Sequence, residues 1–242
     1  MGESETLAFV GAAGGAGTTR LTLEAATLLA RDGREVVVVD AAYATQGMAR
    51  WLPGRLSPDV TELVTDGSEE SLESGLVELP AEVSGRVRCC PAHAPFERIA
   101  RAKTTDAARA FEARVEEATD MADAVCLDVP PVAANQSVAA VDAADRITLV
   151  TPADERGADA VGRMEGVLAD VGASADAVVA TRGELDIADA SVPAGPEDEI
   201  AADEGTGKFA AGVAAACSTA LGEEMSAGRD GLFGGLGDFV SR

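Results

Sequence analysis

The segment Glu35-Val36-Val37-Val38-Val39-Asp40 is apolar at four successive positions and ends on a carboxylate. Successive side chains of a strand point to opposite faces, so such a strand must be buried on both sides. That is the habit of central strands in parallel sheets covered by helices on each face. Upstream, Leu7-Ala8-Phe9-Val10 is a second short apolar strand, and Gly11 to Gly17 is a glycine-rich turn. Thr19 to Asp32 reads as a helix, with Leu21, Leu23, Ala25, Ala26, Leu28 and Leu29 on its apolar faces and Gly33 ending it. Strand, helix and strand within about 35 residues make a βαβ unit.

The alternation continues along the chain. Helices are expected over Thr45 to Trp51, Thr61 to Thr65, about Thr104 to Ala118, Val138 to Ala144, Ala158 to Val171 and Lys208 to Leu221. Strands are expected over Arg86 to Cys90, Ala124 to Asp128, Arg146 to Val150 and Ala177 to Thr181. Glu184 to Thr206 is acidic and rich in turn residues, so it reads as a loop. The pattern predicts an α/β fold with a doubly wound, mostly parallel sheet over residues 1–222, followed by a Gly-rich tail over 223–242.

Charge narrows the function. The chain carries 42 acidic and 19 basic residues, a formal net charge of -23, and its only lysines are Lys103 and Lys208. A surface of this kind has no basic footprint for a nucleic-acid backbone, so no direct nucleic-acid partner is expected. It suits a cytoplasm at molar salt, where the Debye length falls to about 3 Å and self-repulsion is screened, so a halophilic archaeal origin is expected over an acidic mesophilic one. The four cysteines, Cys89, Cys90, Cys126 and Cys217, form no C-x-x-C pair and are expected to be buried thiols. The acidic start Met1-Gly2-Glu3-Ser4-Glu5 lacks the basic region of a signal peptide, and a cytoplasmic location is expected.

The glycine-rich turn places backbone N–H groups at a helix N-terminus, which is a phosphate site by geometry. Gly11, Gly15 and Gly17 have the spacing of a short-chain dehydrogenase turn, with Asp40 where a dinucleotide enzyme holds the ribose. The Tyr-x-x-x-Lys pair of those oxidoreductases is absent, because the single tyrosine, Tyr43, has Gly47 four residues on. This alternative therefore reduces to cofactor binding without turnover.

A second resemblance covers more of the chain. Gly14-Gly15-Ala16-Gly17-Thr18-Thr19 resembles the deviant Walker A loop of the ParA/MinD family of P-loop ATPases (SIMIBI class). Val36 to Asp40 with Gln46-Gly47 is similar to that family's second strand and switch I. Val125-Cys126-Leu127-Asp128-Val129-Pro130-Pro131 is similar to its Walker B strand. Ala143-Ala144-Asp145-Arg146-Ile147-Thr148-Leu149-Val150-Thr151-Pro152 is similar to its A-A-D-x-x-x-x-V-x-P segment. The resemblance implies a nucleotide-binding loop at Gly14, Gly15, Ala16, Gly17, Thr18 and Thr19, Mg²⁺ held by Thr19 and Asp128, and Asp40 and Asp128 as candidate catalytic carboxylates.

The departures imply a degenerate member. The family's signature lysine falls at Ala13, its Walker lysine at Thr18, its switch I carboxylate at Ala42 and its base-recognition asparagine at Thr181. Phosphoryl transfer rests on positioning and electrostatic stabilisation, so little hydrolysis is expected and ATP and Mg²⁺ bind weakly at most. Arg20 follows the loop but stands where a small residue is usual. The bland alternatives are a ligand-free turn, Thr19 as a helix N-cap, Asp128 as a cap on its strand, and Trp51 and His93 as packing or surface residues.

The tail carries Leu232, Phe233, Leu236, Phe239 and Val240 on one helical stripe. MinD proteins end in a similar segment that lies on the membrane. The resemblance therefore implies a scaffold or regulator of intracellular positioning or partitioning. It would act with a protein partner, an active paralogue or a second copy, and its tail would dock on protein or at the inner face of the membrane. A slow but genuine ATPase of the family is the alternative.

Overall fold

The computed structural model describes residues 4–65, 69–196, 199–200, 202 and 207–225. Its strands are β1 (Glu5–Gly11), β2 (Glu35–Asp40), β3 (Val77–Glu78), β4 (Arg86–Cys90), β5 (Ala124–Val129), β6 (Arg146–Pro152), β7 (Ala177–Thr181) and β8 (Ala190–Val192). Its α-helices are α1 (Thr18–Arg31), α2 (Val60–Leu63), α3 (Phe96–Arg101), α4 (Thr105–Met121), α5 (Asn135–Asp142), α6 (Glu155–Asp170) and α7 (Gly207–Leu221). The strands form one sheet in the order β3-β4-β2-β5-β1-β6-β7-β8. All pairs are parallel except β3 with β4. The doubly wound α/β architecture expected from the sequence is the observed one.

The two-faced burial of β2 divides the core. Val37 and Val39 join Ala8, Val10, Val125 and Leu127 under Phe111, Val115 and Leu168 of α4 and α6. Val36 and Val38 join Leu7, Phe9 and Cys126 under Leu21, Leu28, Val213 and Cys217 of α1 and α7. The four cysteines are free and buried.

Several elements differ from expectation. The helix expected over Thr45 to Trp51 contracts to a 3₁₀ turn, Met48–Trp51. Gln46 has φ 49, in the left-handed region through which a right-handed helix cannot pass. The helix expected from Val138 starts at Asn135, where the Ser137 hydroxyl accepts the N–H groups of Ala133 and Ala134. The helix expected from Ala158 starts at Glu155, because Asp154 accepts the Gly157 N–H at 2.7 Å. Strand β8 lies inside the segment expected to be loop; at three residues on the sheet edge it has no apolar run to reveal it.

Residues 223–225 still pack on the domain: Glu223 pairs with Arg34, and the Met225 N–H donates to Ser218 Oγ at 2.8 Å. Leu232, Phe233, Leu236, Phe239 and Val240 lie outside the described residues. Among the described residues, no helix is long and apolar enough to cross a membrane.

Candidate functional site

Strand β1 lies between β5 and β6: the chain passes from β1 to β2 on one side, and from β5 across β1 to β6 on the other, so the winding reverses beside β1. The crevice at the carboxyl ends of such strands is where open α/β sheets place their ligands. The glycine loop after β1, Asp40 ending β2, Asp128 near the end of β5 and Thr181 ending β7 all reach this edge.

The loop turns by way of Gly15 at φ 75 and Gly17 at φ 85, which L side chains adopt at a cost. Gly14 needs no such freedom, and a Cβ there would meet nothing. Gly17 is the N-cap of α1; no side chain caps the helix, and its first turn carries no acidic residue. The positive end of α1 therefore faces the cavity with no acidic group of its own cap or first turn beside it. Thr18 and Thr19 are the first two helical residues, so Thr19 is not the N-cap.

The cavity over this loop measures about 370 Å³ and is lined by residues 13–20, Ala42, Gly47, Arg50, Trp51 and Asp128, among others. Asp128 is 1 % exposed, and neither carboxylate oxygen has a hydrogen-bond partner among the described residues. It therefore caps nothing on its strand. Burial, and then the neighbouring Asp40, push its pKa well above the ordinary carboxylate value. The Thr19 side chain works the other way without completing a hydrogen bond of ordinary geometry. An orphaned carboxylate with a hydroxyl beside it is an oxygen-only donor set of the kind a hard divalent cation takes, so these residues fit Mg²⁺.

Asp40 behaves differently. It is fully buried, and its two oxygens accept the N–H groups of Ala42 at 2.7 Å and Ala92 at 3.1 Å. Burial raises its pKa to about 6, with Asp59 adding to the rise and the two N–H groups opposing it. A ribose cannot reach a carboxylate so enclosed. Tyr43 is fully buried as well. The dinucleotide reading loses both its cofactor contact and its tyrosine.

Among the residues lining the loop cavity there is no lysine. Arg20 lines the cavity with its guanidinium already engaged: it bonds the buried Glu24 carboxylate at 2.9 Å and the Glu199 carbonyl at 2.8 Å, and stacks 4.7 Å from the Phe209 ring centroid. Thr181 spends its hydroxyl on the Ala16 carbonyl at 2.6 Å, so it braces the loop.

Sequence reasoning missed Arg182 and Arg50, and it placed Gln46 in the switch-like segment without seeing what its side chain holds. Arg182 has φ 64 and donates to the Gly15 carbonyl. Gln46 exchanges two hydrogen bonds of 3.0 Å with the Ala94 backbone, which anchors the β2–3₁₀ connection. Arg50 lines the cavity and sits 4.9 Å from the Trp51 ring centroid. A φ above zero and a contact across 48 residues leave no local pattern; only the cluster Arg50-Trp51 beside the switch-like segment was visible as composition.

MinD of Aquifex aeolicus, in a MinC:MinD cell division protein complex, superposes with a TM-score of 0.73 at 19% identity, over 92% of this chain and 97% of that one. The fold is that of MinD. The septum site-determining protein MinD from Pyrococcus horikoshii, solved with Mg-ADP, gives 0.70 at 16% identity, over 88% and 95% of the two chains. A variant of McdA from Cyanothece, in its ATP complex, gives 0.61 at 19% identity, over 93% and 82%. No protein-family model and no curated protein matches the sequence. The MinD-type core is thus retained without the lysines that the sequence resemblance leads one to expect at positions 13 and 18.

Proposed function

We propose that this chain is a degenerate ParA/MinD-like protein that binds Mg-nucleotide weakly and acts, without hydrolysing it, as a scaffold or regulator of intracellular positioning. One observation carries the reading. The loop cavity keeps Thr19 and an unpartnered Asp128, yet Ala13, Thr18 and Ala42 occupy the positions where the family resemblance puts two lysines and a carboxylate. Thr19 and Asp128 would hold Mg²⁺, which draws phosphate oxygens to the loop and offsets their charge. The backbone of Gly15 to Thr19 would orient the phosphates. Ala42 has no group with which to position an attacking water.

The neighbours named above support a role with protein partners, since one of them was solved with MinC. An active paralogue or a second copy of this chain is the partner we propose. The stripe Leu232, Phe233, Leu236, Phe239 and Val240 is proposed as the docking segment, on protein or on the inner face of the membrane; liposome flotation against partner pull-down separates the two surfaces. Equilibrium titration with Mg-ATP and a steady-state phosphate assay test the central reading. Binding without turnover supports it. A robust rate that Asp128→Asn abolishes would establish a genuine ATPase, and nicotinamide dinucleotide binding would overturn the family assignment.

A further inference from the structure

A second cavity of about 410 Å³ adjoins the loop cavity, and Gly17, Arg20 and Arg50 line both. The two are halves of one cleft, with Arg50 at the seam. The halves differ in chemistry. One holds Thr19, the orphaned Asp128 carboxylate and the positive end of α1. The other has an apolar wall of Leu21, Val192, Pro193 and Phe209, with Arg20, Arg50 and Arg182 also lining it. A ligand that fills the cleft has an anionic chain at the first end, a flat, largely apolar body at the second, and a joining group at the seam.

The cations near the seam are not equivalent. Arg20 is bound to Glu24 and to the Glu199 carbonyl. Arg182 is bound to the Gly15 carbonyl. Arg50 is exposed and has no carboxylate partner among the described residues. Its guanidinium rests on the face of Trp51, which orients it through the ring quadrupole while leaving its N–H groups unspent. Trp51 is held in turn near Arg20, 5.8 Å from its ring centroid. A planar guanidinium so presented matches the oxygens of one phosphate by paired hydrogen bonds.

We propose that Arg50 holds the phosphate at this seam, the one that joins the nucleoside to the rest of the phosphate chain, and so supplies the fixed positive charge that the glycine loop itself does not carry. The assignment rests on the nucleotide reading above, and it places the charge on the 3₁₀ turn after β2 instead of on the loop.

Trp51 is the chain's only tryptophan and reports on binding directly. Wild type, Arg50→Ala and Arg50→Lys are titrated with Mg-ADP and with Mg-pyrophosphate by tryptophan fluorescence and calorimetry, with melting of the ligand-free proteins as the folding control. Arg50→Ala should weaken Mg-ADP about tenfold or more, and Arg50→Lys should recover part of the loss. Mg-pyrophosphate, which needs only the Thr19–Asp128 end, should lose less than about threefold. Ligand-free melting should be unchanged, because Arg50 is on the surface. If wild type binds Mg-ADP and Arg50→Ala matches it within about twofold, the Arg50 assignment is wrong and the nucleotide reading survives. Equal losses for both ligands would overturn the seam position. If wild type binds neither, both readings fall together.

Discussion

Asp128 on β5 is the register partner of Asp40 on β2, and the two buried carboxyl groups have opposite hydrogen-bond states. Asp40 accepts two backbone N–H groups; Asp128 accepts none among the described residues. The first is built into the fold, where it ties the β2 end to the loop after β4. The second is a buried acceptor pair facing a cavity, a costly arrangement that a cation would relieve.

The pH dependence of stability should expose Asp40. Its folded pKa of about 6 stands above the ordinary 3.8, so between these values the folded state binds more protons than the unfolded one. Stability from this group is therefore full below about pH 4 and is lost as pH rises through about 6. The shift corresponds to about 3 kcal/mol. Denaturation in the absence of Mg²⁺ should show wild type losing about that much relative to Asp40→Asn between about pH 4 and pH 7.5. A pH-independent difference between the two proteins would contradict it.

Asp128→Ala should separate cation binding from folding. Removing two buried, unmatched oxygens should stabilise the ligand-free protein by about 1–2 kcal/mol at neutral pH. The same variant should lose the rise in melting temperature that Mg-nucleotide gives wild type. Calorimetric scans with and without Mg-ADP read both effects in one experiment.

Phosphate release from ATP should stay at background in wild type. Thr18→Lys should raise Mg-ATP affinity about tenfold or more, since it introduces a fixed cation at the first residue of α1. A Cβ on Gly11 would lie 2.8 Å from Thr18 Oγ1, so residue 18 already projects over the end of β1 and into the cavity. Unchanged affinity in the lysine variant would show that the loop does not hold phosphate.

Thr181→Val should cost about 1 kcal/mol by leaving the Ala16 carbonyl without its 2.6 Å partner, and Thr181→Ser should restore it. The local readout is faster amide exchange across residues 14–18 in the valine variant. Equal exchange in all three proteins would mean that the glycine loop holds its shape unaided.

Melting temperature should fall as salt is withdrawn. At a net charge of -23, lowering ionic strength from about 1 M to 0.1 M lengthens the Debye screen from about 3 Å to about 10 Å, and carboxylates then repel over longer distances. Midpoints that hold constant from about 3 M to 0.1 M KCl would remove the halophilic reading.

The sequence by itself determined the sheet. Four consecutive valines must be buried on both faces, the spacing of Leu21 to Leu29 must form a covered helix, and a glycine run between strand and helix must turn there; each is a local rule acting on neighbouring residues. Its resemblance to the ParA/MinD motifs, and not the element pattern, paired Thr19 at the start of α1 with Asp128 near the end of β5. Tertiary structure decided the charge state of the site. Which arginine is spent depends on Glu24, Glu199 and Phe209 meeting Arg20, and on Gly15 meeting Arg182, most of them from distant parts of the chain. Whether Asp40 is enclosed depends on Ala92, 52 residues away. Such contacts follow from how the layers pack, and hydrogen-bond partners that close over long loops leave no periodicity in the chain to be read.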